Sequence, residues 1–353
     1  MESKIDVSII IPAYNAENTI IECVNKILKI DRKRIEILII DDGSKDKTNE
    51  ICQKIEDKRV KIIRKQNGGV SSARNVGIAN ASGNYIMFCD ADDYVQAEMM
   101  EHVIDKTKEC DYDFVMYNIA KNDSGCLITE KLKLEQGEYG SEEGKLLEKF
   151  VLDVPLYKKW ENNILQGSVW RYVYKRKFLQ ENNIIFDENI AYAEDLCFCV
   201  KTFERVKKFY VMNVVAYVVN IIPGTASRRF RIDFWETLQN VYDRITSITA
   251  NENEILYCHY GRSAIIHYLM NQPFAQGMEL CQNVLSNNRF IEDLKKIAFH
   301  KKTWEEKLMD EGCIKNSKIR LFIWSFYWKM YFKILKILMN VKKTIKHEYR
   351  SKE

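Results

Sequence analysis

Four short, nearly continuous runs of apolar and β-branched residues open the chain, and stretches with helical spacing separate them. The runs are Val7 to Ile11, Glu36 to Ile40, Val60 to Ile63 and Tyr85 to Phe88. Continuous hydrophobicity of this length suits parallel strands buried on both faces. The intervening stretches, about 17–29, 46–56 and 71–81, the last opened by Ser71-Ser72, carry helical periodicity. Strand–helix–strand repetition at this spacing leaves little choice: an α/β, Rossmann-like, doubly wound and mostly parallel sheet with right-handed crossovers. Ligands of such sheets sit beyond the carboxyl ends of the strands.

Those strand ends are polar. The first closes Pro12-Ala13-Tyr14-Asn15, the second Asp41-Asp42-Gly43-Ser44, and the fourth Asp90-Ala91-Asp92-Asp93. Capping of the following helices and a glycine turn at Gly43 account for Ser44 and Ser71. Capping does not account for three carboxylates in four residues after the fourth strand, because like charges so close raise the cost of folding unless a cation or donor groups offset it. A hard divalent ion, held by one or two carboxylates and by substrate phosphate oxygens, is the natural partner. Asp90 and Asp92 are therefore the candidate metal ligands.

Other phosphate-binding readings fail on their own spacing. The first turn has no glycine, so the dinucleotide fingerprint is absent. Gly140 to Lys145 resembles a phosphate loop but has three intervening residues instead of four, and Leu146 replaces Ser or Thr. A metal-dependent phosphatase or nucleotidyltransferase remains a chemical rival. A scaffold with the same fold and no activity is the rival of another kind. The ten cysteines are scattered, mostly within apolar runs, and read as reduced core thiols. The sequence opens with no signal-peptide pattern, and no 18-residue apolar stretch suggests a spanning helix.

Further along, a helix is expected at about 96–109, a strand from Asp113 to Ala120 and another near 126–134. Helical periodicity then dominates from about 233 to 312, broken near Pro273 and Gly277. The 353 residues suit about two domains plus extras. The expected division is 1–220 for the α/β domain, 221–314 for a helical region and 315–353 for a tail.

Five segments in order carry a family resemblance. They are Val7 to Asn15, Ile39 to Ser44, Gln66 to Asn75, Cys89 to Asp93 and Ala193 to Phe198. Together they resemble the successive signatures of family 2 glycosyltransferases over roughly residues 5–220. The resemblance implies the GT-A fold, a nucleotide diphosphate-sugar donor, most often a UDP-sugar, Mn²⁺ or Mg²⁺ as cofactor, and inversion at the anomeric carbon. It also implies roles: Pro12, Ala13 and Tyr14 lining the nucleoside pocket, Asp42 accepting the uracil N–H, and Arg74 reaching the base or diphosphate. Asp90 would bond the ribose and Asp92 the metal. Two departures stand out. Alanine occupies the middle of the Asp-X-Asp, so only the flanking carboxylates can serve, and Gln96-Ala97 stands where a proline often follows.

Transfer of this kind needs a base, because the acceptor hydroxyl must lose its proton as it attacks. Asp195 resembles the family's base, with Glu194 orienting it or binding acceptor. Capping of the helix that runs to about 206 is the plainer role for the same pair, favoured by the helix dipole. Trp170, within Val169 to Lys175, resembles an aromatic-basic helix near the acceptor, although a tryptophan packed in a core fits the residues nearly as well.

The charge of +4 hides an asymmetry: residues 315–353 carry eleven Lys or Arg against two Glu, a net +9 that leaves −5 for the first 314. On a helix, Ser325, Lys329, Lys333, Lys336, Asn340 and Lys343 fall within a roughly 80° arc, and Trp324, Trp328, Phe326 and Tyr331 populate the rest. Such a segment fits a helix lying in the headgroups of an anionic membrane. The alternative is that the wide apolar face docks on the enzyme itself or in a homodimer. No nucleic-acid recognition motif accompanies the charge. Membrane contact would place the protein in the cytoplasm at the inner face of the plasma membrane. It would also suit a lipid-linked oligosaccharide or other glycan acceptor of bacterial surface polysaccharide synthesis.

Overall fold

A computed structural model describes residues 5–30, 35–132, 134–153, 167–222 and 234–249. The helical periodicity expected beyond 249 and the basic tail at 315–353 lie outside the described residues. Strands β1 (Val7–Ala13), β2 (Ile35–Asp41), β3 (Val60–Arg64) and β4 (Tyr85–Phe88) form a parallel block in the order β3-β2-β1-β4. Beyond β4 the sheet turns mixed. Strands β9 (Tyr172–Lys175), β6 (Phe114–Asp123), β10 (Lys208–Asn220) and β5 (Tyr94–Val95) follow in that order, with β7 (Cys126–Glu130) paired to β6 and β8 (Gly137–Gly140) to β10. Strands β6 and β10 run parallel to each other, while β9 is antiparallel to both β4 and β6.

Every residue of β2 is buried, as its unbroken Ile-Glu-Ile-Leu-Ile-Ile-Asp run requires. The pleat sends alternate residues to opposite faces. On one face Ile9, Ile11, Ile37 and Ile39 meet α1 (Ile20–Leu28), which offers Ile20, Cys23, Val24 and Ile27 at helical spacing, and α4 (Ala97–Glu109). On the other, Ile10, Leu38, Ile40 and Phe88 meet α3 (Gly69–Asn80), α5 (Ser141–Asp153) and α7 (Glu194–Arg205). Val241 and Ile245 of α8 (Phe234–Ile248) join this second core. Full burial of each such aliphatic side chain contributes about 1.5–3 kcal/mol. Helix α3 lies so close to β1 that a Cβ on Gly77 would stand 2.3 Å from Ile10 Cγ2.

Several local expectations shift. Helix α3 starts at Gly69, two residues before Ser71, and Ser71 sits inside it with its hydroxyl buried and unpaired. Helix α2 covers only Thr48–Cys52, and Ser44 caps neither helix. Its hydroxyl instead accepts the Asn15 N–H at 3.0 Å, because two loops pack against each other there. Trp170 lies in a 3-10 turn, Val169–Arg171, that runs straight into β9, so the aromatic-basic segment is turn and strand and not a helix. Five of the described cysteines are buried thiols, but Cys126 is exposed on β7.

At the sheet edge opposite the strand ends, Glu36 is buried and clamps three segments. It accepts from Ser8 Oγ at 2.6 Å, from Ser82 N and Oγ at 2.7 Å each, and from Lys61 Nζ at 2.8 Å. Burial alone would raise its pKa, but these donors overcome burial and bring it from the ordinary 4.5 down to about 2. Glu36→Gln should therefore cost about 2 kcal/mol in urea unfolding at pH 7. In the wild type this contribution is complete above pH 4.5 and disappears as pH falls toward 2, because the unfolded state takes up the proton first. A variant as stable as wild type at pH 7 would show that the clamp contributes nothing.

Candidate functional site

The carboxyl ends of β1 and β2 are laced together. Asp42 N donates to Ala13 O at 2.9 Å, and Lys45 N donates to Asn15 Oδ1 at 2.9 Å. Pro12 and Ala13 end β1, and Tyr14, 47% exposed, follows it. Asn15 follows in the left-handed region at φ 51°. Gly43 turns at φ 72°, and a Cβ there would lie 2.9 Å from Asn67 N, so only glycine fits. Asp42 is buried, and its carboxylate accepts from Lys65 Nζ at 2.7 Å, Gly68 N at 3.0 Å and Gly69 N at 2.7 Å. It thus satisfies the open N–H groups at the start of α3 from 27 residues away. That contact is why the helix begins at Gly69.

The Asp90 to Asp93 turn after β4 is held from β10. Tyr217 accepts the Asp90 N–H at 3.0 Å and donates to Asp93 Oδ2 at 2.9 Å. Asn220 donates from its backbone to Asp93 Oδ1 at 2.8 Å and from Nδ2 to Asp92 O at 2.7 Å. A bulge in β10, where the register shifts between Met212 and Tyr217, precedes these contacts. Trp170 stacks on Tyr217, with centroids 5.2 Å apart and planes within 2°, and only 8% of it is exposed. The structure thus places Trp170 in the packing behind the turn.

One guanidinium joins the remaining acids. Arg74, on α3 and 3% exposed, donates from Nη2 to Asp90 Oδ1 at 3.0 Å, and from Nη1 to Glu194 Oε1 at 3.0 Å and to Asp195 Oδ1. Its Nε is buried without a partner, and the group lies over the Phe186 ring at 5.2 Å. The neighbouring Asn75 grips Phe186 by its backbone: Phe186 N donates to Asn75 Oδ1 at 2.9 Å, and Asn75 Nδ2 donates to Phe186 O at 3.0 Å. Glu194 and Asp195 form the first turn of α7, where the helix dipole favours negative charge. Ala193 before them is held at φ 56°, a conformation that costs a non-glycine residue of order 1 kcal/mol or more.

Electrostatics follow from burial and crowding. Burial pushes the Asp92 carboxyl up, and the charge on Asp90 adds to it. Asp93 is raised by burial and then by the charges on Asp90 and Asp92, in spite of its donors Asn220 and Tyr217. Asp195 is driven up by burial, and then by Glu194 and Asp90, against the pull of Arg74. Burial works against the charge on Arg74, but Asp195, Asp90 and Glu194 together hold the guanidinium protonated.

The structure therefore joins Asp90, Arg74, Glu194 and Asp195 in one cluster, with Asp92 on the adjoining turn and Asp42 at the head of the helix that carries Arg74. The arrangement can hold an acceptor proton at Asp195 and a cation at Asp92. Arg74, expected at the base or diphosphate, has both terminal nitrogens bonded to carboxylates. Four contributors escaped sequence reasoning: Asn75, Asp93, Tyr217 and Asn220. A third carboxylate after Asp-X-Asp was a visible signal for Asp93, whereas nothing local marked Tyr217 or Asn220.

The family model described as "Glycosyl transferase family 2" matches residues 8–179. The uncharacterised glycosyltransferase EpsJ of Bacillus subtilis is 31% identical over 258 residues, which cover 72% of this chain and 70% of EpsJ. The succinoglycan biosynthesis protein ExoO of Rhizobium meliloti is 26% identical, over 65% of this chain and 64% of its own. Other curated relatives are longer, and the chain spans 26% to 38% of their length. Among solved structures, S. aureus TarS residues 1–349 in complex with UDP-GlcNAc shares the fold, with a TM-score of 0.61 at 20% identity, covering 82% of this chain and 81% of that one.

Proposed function

The chain belongs to glycosyltransferase family 2, and from that premise we propose that it moves a sugar from a UDP-sugar to a hydroxyl of a glycan acceptor in surface polysaccharide synthesis. The observation that carries this reading is the Arg74-centred cluster. It sets a carboxylate able to serve as a base, Asp195, beside the turn that carries Asp90 and Asp92. The names of ExoO and of the TarS complex supply the polymer and donor classes.

Asp195 takes the proton of the acceptor hydroxyl as that oxygen attacks the anomeric carbon. The bond between that carbon and the diphosphate breaks on the opposite face, so configuration inverts. In this reading Tyr14, exposed at the end of β1, covers the nucleoside, and Asp90 bonds the ribose. Among the described residues no three His, Cys, Asp or Glu side chains form a metal site by themselves. The residues nevertheless fit a divalent ion. The Asp92 carboxylate, disfavoured by burial and by Asp90, would gain from a cation, and donor phosphate oxygens would complete the shell. When bound, that ion supplies Lewis-acid stabilisation of the departing diphosphate.

The test is thermal unfolding with and without nucleotide. UDP with Mn²⁺ at about 100 times its dissociation constant should stabilise the fold by about 2.7 kcal/mol and raise Tm. UDP without metal should do less. If no nucleoside diphosphate shifts Tm, with or without metal, the transferase reading is wrong.

A further inference from the structure

We propose that Arg74 is the positioning residue of this site, a cross-brace that fixes the carboxylate of Asp195 relative to the donor-side turn through Asp90. The proposal rests on the transferase reading above and deepens it. Its basis is geometric. The two terminal nitrogens of Arg74 span the turn after β4 and the start of α7, reaching Asp90 on one side and Glu194 and Asp195 on the other. These partners lie 16, 120 and 121 residues away, so no local segment could set their spacing. A planar fork holds several carboxylate oxygens at fixed angles, which an ammonium on a flexible stem cannot do.

The surroundings lock the brace. Phe186 lies under the guanidinium, and Asn75, the next residue on α3, holds Phe186 through both its backbone N–H and its carbonyl. The segment that leads into α7 is therefore tied to the helix that carries Arg74. The same helix is anchored at its head by Asp42 through Gly68 N and Gly69 N. A rigid α3 thus sets the base, the donor-side turn and the nucleoside-side aspartate from one element. Both terminal nitrogens of Arg74 are bonded to carboxylates, and the residue is only 3% exposed.

Displacing a reacting group by about 1 Å can cost 10²-fold in rate, and the loss falls on kcat because binding is not the step affected. The experiment compares Arg74→Lys and Arg74→Met with wild type in UDP-sugar hydrolysis or transfer, alongside UDP affinity by calorimetry. The lysine variant keeps the charge against three carboxylates and so guards against simple unfolding, which circular dichroism checks. The expected result is a kcat lower by about 10-fold for Lys and about 100-fold for Met, with donor KM and UDP affinity within about threefold of wild type. A donor KM raised tenfold at unchanged kcat would make Arg74 a donor contact and overturn the proposal. So would a lysine variant with wild-type kcat. A wild type that neither turns over a UDP-sugar nor binds UDP would sink the transferase reading itself. The two failures are told apart because only then does the wild type fail as well.

Discussion

Asp195→Asn should lower kcat for transfer on the order of 10³-fold while leaving UDP-sugar affinity within about threefold of wild type. The amide keeps the size of the carboxylate, and its oxygen can still accept from Arg74 Nη1, so the brace survives. What it loses is the capacity to take a proton. Asp195 sits in the first turn of α7 with Asp90 and Glu194 gathered on the same guanidinium, so no vacant carboxylate stands by to replace it. Steady-state transfer measured with calorimetric titration of UDP separates the chemical step from binding. Turnover within tenfold of wild type would remove Asp195 from the proton transfer and return the Glu194-Asp195 pair to the role of a helix start.

Asp92→Asn should have the opposite signature in stability and an equally large one in function. Burial and Asp90 both disfavour the Asp92 carboxylate, so neutralising it relieves the folded state. In metal-free buffer at pH 7 the urea midpoint should rise. Donor turnover should fall on the order of 10³-fold, and Mn²⁺ should no longer strengthen UDP binding, because the ion has lost its principal protein ligand. A gain in stability with a loss of function is the pattern expected where a charge is kept for chemistry at the fold's expense. If Asp92→Asn unfolds more easily in metal-free buffer and binds UDP with undiminished Mn²⁺ dependence, Asp92 is a structural residue and the ion lies elsewhere.

Both variants test residues legible in the sequence, but their neighbours were not. Tyr217 could be read only as one more apolar strand residue, and its hydroxyl reaches Asp93 across 124 positions. Asn75 follows Arg74 within the Gln66 to Asn75 segment, yet its hold on Phe186 spans 111 residues. Ser44 illustrates the opposite error. Its residue type and its place after a strand suggested a helix cap, but the Asn15 N–H claims its hydroxyl once β1 and β2 lie side by side. Trp170 was expected on a helix, but pairing of the adjacent β9 with β4 and β6 holds that stretch extended.

The sequence by itself determined the alternation of strands and helices, the parallel character of the first four strands, and the polar strand ends that gather at one edge. These follow from side-chain periodicity and from the chirality of crossovers, both properties of short segments. Only the tertiary structure decided what Arg74 touches, which hydroxyl steadies the Asp90 to Asp93 turn, and which donors occupy Asp42. Such contacts depend on where distant segments meet once each face of the sheet has been covered. A charged group chooses its partner by distance and burial in the folded chain, and neither quantity is written in the residues beside it.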